Sequence, residues 1–112
     1  MAAEINEEIY KDGIAVIVVK GDVGGSDTIL FREMIQKQAD SDTAKLIIDL
    51  SLVTYLDSSW LGAFIFAMGL FDDMGKMLYF VITNKFVMDL FENSNLSSIA
   101  NIVESKEKIE NS

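Results

Sequence analysis

The fold is decided by residues 46–62, which read LIIDLSLVTYLDSSWLG. The segment Lys45–Leu50 is almost continuously apolar, which predicts a strand covered on both faces. A short loop, Ser51–Tyr55, then leads to Leu56-Asp57-Ser58-Ser59. Beyond it, apolar residues recur at three- and four-residue steps, which predicts a helix with a strongly apolar face. The members of that face are Leu61, Phe64, Ile65, Met68 and Phe71. A buried strand followed by such a helix is the repeating unit of α/β folds.

Near the start of the chain the sequence predicts a β-hairpin. Ile5–Tyr10 alternates apolar and polar residues, with Ile5 and Ile9 on one face, which is typical of a half-buried strand. Asp12-Gly13 is a strong turn signal, because glycine adopts positive φ without steric penalty. Ile14–Val19 follows as a continuous run dominated by β-branched residues, which predicts a second, fully buried strand.

A helix is predicted between this hairpin and the deciding stretch. Gly21–Ser26 interrupts the strand pattern, and Ser26 or Asp27 is suited to cap a helix over Thr28–Ala39. Apolar residues at helical spacing within this segment support the assignment.

The remaining third of the chain predicts a further strand, helix and short extended segment. Met77–Thr83 reads as a strand, Asn84 begins a helix, and Ile99–Val103 is extended ahead of a polar helical tail from Glu104. The complete order is β-β-α-β-α-β-α-β-α, which predicts an α/β fold with a mixed β-sheet and crossover helices. Without repeats or a proline-rich linker, residues 1–112 are expected to form one domain.

The charge balance argues against two kinds of partner. The chain has eighteen acidic and nine basic residues, which gives a net charge of −9. Such a surface repels phosphate backbones and anionic lipid, so we expect neither direct nucleic-acid binding nor membrane binding. A protein partner with a basic or mixed face stays compatible with this charge.

The residue inventory also argues against most catalytic chemistry. The chain has no Cys and no His, which removes disulfides, thiol catalysis and histidine-dependent sites, and no calcium-loop spacing is present. We therefore expect no cofactor, no metal site and no enzymatic activity. The acidic N-terminus does not resemble a signal peptide, and the longest apolar run is too short to span a bilayer. These features predict a cytoplasmic protein.

The polar residues at the predicted start of the central helix are the candidate site. Asp57 is suited to be the N-cap, with Ser58 and Ser59 in the first turn. A group attached to Ser58 would then lie beside unpaired backbone N–H groups and the positive end of the helix dipole, which tolerates a phosphate. From the residues alone, an ordinary capped helix is the simpler interpretation, and a phosphate site is the alternative.

The run from Leu46 to Gly62 resembles the central signature of STAS domains of the anti-sigma-factor antagonist (anti-anti-sigma factor) family. In that family an apolar strand ending in Asp-Leu-Ser leads to Asp-Ser-Ser/Thr-Gly-Leu-Gly at a helix start. Gly21-Asp22-Val23 is similar to the family's turn after the second strand. Asn84-Lys85 to Leu96 is similar to its late helix. The resemblance covers nearly the whole chain and implies a STAS-like fold.

The resemblance implies a phosphorylation switch in transcription regulation. The partner would be an anti-sigma factor that is also a serine-protein kinase, and a phosphatase would reset the switch. Matched residue by residue, the phosphoacceptor is Ser58, with Ser59 as the fallback. Asp57 would order the loop, and Gly62 would allow close helix packing. The implied switch surface comprises Asp22, Gly24, Asp57, Ser58, Ser59, Trp60 and Gly62.

Two residues depart from the family pattern. Trp60 stands where the family has Gly, and is either an exposed binding anchor or a core residue folded inward. Gly24 stands where many members carry a polar or acidic residue, so a contact made by that side chain is missing here. The alternative function is a scaffold without a switch, or an accessory subunit of a transporter ATPase or of a stress-signalling complex.

Overall fold

The computed structural model describes residues 2–11 and 13–109. Its strands form one five-stranded sheet in the order of the sequence, β1-β2-β3-β4-β5. The first pair is antiparallel and the other pairs are parallel, so the sheet is mixed as predicted. The strands are β1 Glu4–Lys11, β2 Ile14–Val23, β3 Lys45–Leu56, β4 Met77–Val81 and β5 Ile102–Val103.

The helices lie in the connections between the parallel strands, as the predicted crossovers require. They are α1 Thr28–Ala39, α2 Ser59–Asp73 and α3 Lys85–Asn93. Short 3₁₀ turns occupy Gly25–Asp27, Leu96–Ser98 and Lys106–Lys108. The α/β class and the order of the elements are confirmed, but the helical tail predicted from Glu104 is only a 3₁₀ turn within the described residues.

The hairpin forms as predicted, with Gly13 at φ +76° in its turn; Asp12 lies outside the described residues. The prediction for β1 is wrong at one residue. Ile5 packs against the core, whereas Ile9 is 89% exposed. The end of α1 reaches β1 at Glu7, which accepts hydrogen bonds from Lys37 and Gln38, and Ile9 lies beyond that contact.

The main core lies between the sheet and the helices, and Phe64 of α2 is at its centre. Its ring lies 5.3–5.8 Å, centroid to centroid, from four other aromatic rings, those of Phe31, Trp60, Phe80 and Phe91. The buried face of α2 consists of Trp60, Ala63, Phe64, Ala67 and Phe71. Ile65, predicted to belong to this face, is 54% exposed because the face is rotated toward Trp60.

Candidate functional site

The site begins with two strands that run further than the sequence predicts. Gly21–Ser26 and Ser51–Tyr55 were expected to be loops, but β2 continues to Val23 and β3 to Leu56. The two extensions pair in parallel, with a register shift after Gly21. Gly21 has φ +81°, a conformation that glycine adopts without strain, and this permits the irregular pairing. The prediction failed because hydrophobic patterning does not detect pairing across such a shift.

The register shift places Asp22 beside Thr54. The Thr54 hydroxyl donates a hydrogen bond to a carboxylate oxygen of Asp22. This bond stabilises the charged form and lowers the pKa of Asp22. Asp22, which was expected in the switch surface, is thus hydrogen-bonded to the exposed Thr54 of the neighbouring strand. Sequence reasoning did not find this contact.

The start of α2 differs by one residue from the prediction. The N-cap is Ser58 and not Asp57. The Asp57 carboxylate still binds the helix start, because it accepts hydrogen bonds from the Ser59 amide at 3.0 Å and from the Ser59 hydroxyl. The Trp60 amide bonds to the Asp57 carbonyl, and the Leu61 amide to the Ser58 carbonyl, each at 3.1 Å. The first three amides of the helix are thus paired, in contrast to the unpaired amides that were expected.

The two candidate serines differ in what their hydroxyls do. Both residues are exposed. The Ser59 hydroxyl is hydrogen-bonded to Asp57. The Ser58 hydroxyl caps no amide and has no hydrogen-bond partner among the described residues. Of the two, only Ser58 presents an accessible hydroxyl that makes no other bond.

The loop between β2 and α1 packs against this helix start. The Gly24 amide donates to the Asp27 carboxylate at 2.8 Å, which closes the loop. A Cβ added at Gly24 would lie 3.8 Å from an Asp57 carboxylate oxygen, an ordinary contact. A Cβ added at Gly25 would lie 3.2 Å from the Ser59 hydroxyl oxygen, which is tight. Gly25 and Asp27 therefore belong to the site, although sequence reasoning missed both. The signal for Asp27 was its position three residues after Gly24, the spacing of a capping box.

Trp60 is a core residue. Its side chain is completely buried, and its ring lies 5.0 Å from that of Phe31. Its indole N–H donates to the Gly24 carbonyl at 2.9 Å, which satisfies the polar atom of the ring. The structure therefore shows the inward alternative and corrects the placement of Trp60 in the partner-binding surface. Trp60 instead joins the helix start to the β2–α1 loop.

Gly62 lies on the exposed side of α2, where it does not serve helix packing. A Cβ added there would meet only the end of the Arg32 side chain, with Nη2 at 3.6 Å. The expectation that Gly62 permits close approach of two helices is therefore wrong. The Arg32 guanidinium also lies over the Phe66 ring, 5.1 Å from its centroid.

Exposed apolar residues lie close to Ser58 in sequence. Tyr55, three residues before Ser58, is 51% exposed and stacks on Phe86 with the ring centroids 5.8 Å apart. Leu52 on the same strand is also half exposed. The Asn84 side chain donates to the Val53 carbonyl at 2.8 Å, which holds the start of α3 against this part of β3. Within residues 2–11 and 13–109 no cluster of acidic side chains is arranged to hold a metal ion.

No helix in the described part of the chain has the length and apolar character needed to cross a membrane.

The Glu7 carboxylate, remote from the candidate site in sequence, has a lowered pKa because Lys37 and Gln38 donate hydrogen bonds to it.

Comparison with known proteins was made at the level of family, sequence and structure. The family model for the STAS domain matches residues 5–109. No curated protein sequence matches significantly. The phosphorylated form of the Bacillus cell fate determinant SpoIIAA superposes with a TM-score of 0.77 at 16% identity, over 96% of this chain and 98% of that one.

Two further solved structures show the same fold. An anti-sigma factor antagonist from Mycobacterium paratuberculosis has a TM-score of 0.81 at 17% identity, over 96% of this chain and 90% of that one. The murine anion transporter Slc26a9 has a TM-score of 0.71 at 16% identity, over 85% of this chain and 17% of the transporter. At these identities the similarity shows the fold, which occurs both as a small regulator and as part of a transporter.

Proposed function

This chain belongs to the STAS domain family, and on that premise we propose that it is an anti-sigma factor antagonist that works by partner switching in the cytoplasm. Unphosphorylated, it binds an anti-sigma factor that is also a serine kinase. Phosphorylation of Ser58 releases it, and a phosphatase resets it. The observation that carries the proposal is the contrast between the free, exposed hydroxyl of Ser58 and the bonded hydroxyl of Ser59.

A phosphoacceptor must place its hydroxyl in line with the γ-phosphate of ATP in the active site of a kinase. Ser58 meets this requirement without breaking an existing contact, because its side chain is exposed and not hydrogen-bonded among the described residues. Ser59 would first have to leave Asp57. This chain performs no chemical step of its own in the proposal, since the kinase supplies ATP, Mg²⁺ and the activation of the hydroxyl.

The consequence of phosphorylation follows from the geometry of the helix start. A phosphate adds about −1.5 to −2 charges at neutral pH, directly beside Asp57. The amides of Ser59, Trp60 and Leu61 are already paired, so they do not neutralise it. Burying this charge against a surface shaped for a neutral serine is costly. Release therefore results from the cost of burying the uncompensated phosphate charge at the interface and needs no refolding of the helix.

The exposed apolar group supports a binding module. Leu52, Tyr55 and Phe86 are each between 45% and 51% exposed, and aromatic residues are favoured as interface anchors. Leu52 and Tyr55 lie on β3 shortly before Ser58, Tyr55 pairs with Asp22 of β2, and Phe86 of α3 stacks on Tyr55. With a net charge of −9, the complementary partner surface is an apolar pocket with basic residues around it.

A second candidate is a STAS scaffold without a switch, and the occurrence of this fold within a transporter is the observation that favours it. A scaffold would hold its partner regardless of the state of Ser58. Pull-down from cells separates the two functions: recovery of a transporter subunit, unchanged in Ser58→Glu, supports the scaffold. Recovery of a small kinase that the same variant loses supports the switch.

The direct test is labelling by the cognate kinase with radioactive ATP. We expect Ser58→Ala to abolish labelling while retaining kinase binding, and Ser59→Ala to keep labelling. Ser26→Ala, in an exposed serine of the β2–α1 loop, is the matched control and should be labelled normally. Labelling that persists in Ser58→Ala, in Ser59→Ala and in the double variant would falsify the proposal.

A further inference from the structure

Arg32 is the only arginine in the sequence, and it lies against the helix that carries the switch serine. Its guanidinium covers the Phe66 ring at 5.1 Å, and Nη2 lies 3.6 Å from the position where a Cβ of Gly62 would be. The side chain is half-buried on the surface between α1 and α2.

Ser58 lies on the same face of α2, one turn before Gly62. Its φ of −65° and ψ of −18° are helical. Ser58 and Gly62 are therefore neighbours on the helix surface, as residues four apart in a helix usually are. That relation separates the two Cβ positions by about 6 Å, which puts the Arg32 guanidinium within about 10 Å of the Ser58 Cβ. A phosphate on the Ser58 oxygen shortens this gap in those rotamers that turn it toward Gly62.

The Arg32 guanidinium lies over Phe66, one turn beyond Gly62, so a contact with Ser58 requires a different rotamer of Arg32. The packing of Phe31 on Trp60 and of the Gly25 loop on Ser59 shows that both helices begin at the same end of the molecule. Long side chains in helices point preferentially toward the N-terminus of their own helix, which here is the end with Ser58. The missing side chain of Gly62 leaves the surface between the two positions open.

We propose that Arg32 is the phosphate-binding residue of the phosphorylated form: it leaves the Phe66 ring and pairs with the phosphate on Ser58 across the space that Gly62 leaves open. This rests on the proposed function only in taking Ser58 as the modified residue. It also gives Gly62 a role, since helix packing does not require a glycine there.

The exchange of partners is favourable for Arg32. A half-exposed cation over an aromatic ring makes a weak contact, whereas a guanidinium and a phosphate form two parallel charge-assisted hydrogen bonds. The carboxylates of Asp57 and Asp27 lie around the same helix start and oppose the phosphate, and Glu33 follows Arg32 on α1. Arg32 therefore offsets part of a strongly negative cluster.

The test installs phosphoserine at position 58 during translation, so that no kinase is needed, and follows its second ionisation by ³¹P NMR. A nearby cation favours the dianion and lowers the phosphoserine pKa. We expect Arg32→Gln to raise this pKa by about 0.5 unit or more. Gly62→Leu, which keeps the charge but fills the path, should raise it as well. Lys37→Gln is the matched control, because it removes one positive charge from the exposed part of the same helix.

Two results would overturn the proposal: an unchanged phosphoserine pKa in Arg32→Gln, or an equal rise in Lys37→Gln, which would show a general effect of net charge. A second readout is the Phe66 ring, whose proton resonances should shift when phosphoserine replaces Ser58 in the wild-type chain but not in Arg32→Gln. Because the phosphate is installed without a kinase, a failure here leaves the labelling test of Ser58 unaffected, and the reverse also holds.

Discussion

Two helices of this protein begin at the same edge of the parallel sheet, and their first residues are used in opposite ways. The N-cap of α3, Asn84, accepts a hydrogen bond from the Val87 amide at 2.7 Å and donates one to the Val53 carbonyl at 2.8 Å. The N-cap of α2, Ser58, makes no capping bond and is exposed. At α2 the capping is done by Asp57, one residue earlier. The cap of α2 therefore leaves its hydroxyl without a hydrogen bond among the described residues, whereas the cap of α3 uses both of its polar atoms.

The largest expected effect is at Trp60, two residues after Ser58. Its side chain is buried in the core, whereas that of Ser58 is exposed. Trp60→Ala removes a fully buried ring from the aromatic core and the hydrogen bond to the Gly24 carbonyl. We expect the free energy of unfolding to fall by about 3–5 kcal/mol, measured by urea denaturation. Trp60→Phe, which keeps most of the packing, is the control and should lose clearly less. Equal losses in the two variants would contradict a core role for the indole.

The next effect tests the two caps directly. Asn84→Ala removes the cap of α3 and its link to β3, so we expect a loss of about 1–2 kcal/mol in the free energy of unfolding. Ser58→Ala should stay within about 0.5 kcal/mol of the wild type, since its side chain makes no bond among the described residues. Thermal or urea unfolding of the two variants under identical conditions gives the comparison. A larger loss of unfolding free energy for Ser58→Ala than for Asn84→Ala would contradict the contrast between the two caps.

The sequence predicts the cap of α3 better than the cap of α2, and the reason is physical. The Asn84 cap is local: an Asn after a strand, followed by helical spacing, is sufficient to locate it. The bounds Thr28–Ala39 of α1 follow from similar local signals. At Ser58 the decisive facts are which side chain binds which amide. Asp57 and Ser58 are adjacent and both are good capping residues. Which of them caps the helix depends on the backbone conformation, which the sequence pattern does not specify.

Long-range contacts explain the other differences at the site. The extensions of β2 and β3 pair residues about thirty positions apart across a register shift, which no period-2 pattern encodes. Trp60 turns inward because its ring packs on Phe31 and Phe64, and the Gly24 carbonyl accepts its N–H. Arg32 reaches α2 from another helix, and nothing in the sequence around Ser58 points to it. The family resemblance located the segment, and the structure distinguished the contacts that its residues make.

The smallest expected effect concerns the hydrogen bond that joins the two extended strands, β2 and β3, near Ser58. The Thr54 hydroxyl donates to the Asp22 carboxylate and lowers the pKa of Asp22. We expect Thr54→Val to raise the Asp22 pKa toward its ordinary value, as followed by NMR titration of the carboxyl group. Thr83→Val, at an exposed threonine without a hydrogen bond among the described residues, is the control and should leave the Asp22 pKa unchanged.

The sign of the effect on stability follows from that direction of shift. A carboxyl group whose pKa is lower in the folded state contributes stability above its unfolded pKa, near 4, and loses it as the pH falls through the folded value. The stability difference between wild type and Thr54→Val should therefore be present at pH 7 and become smaller below about pH 4. Because Asp22 is at the surface, solvent screening keeps the difference small. A difference of the same size at pH 7 and below pH 4 would show that Thr54 acts through strand packing and not through the charge of Asp22.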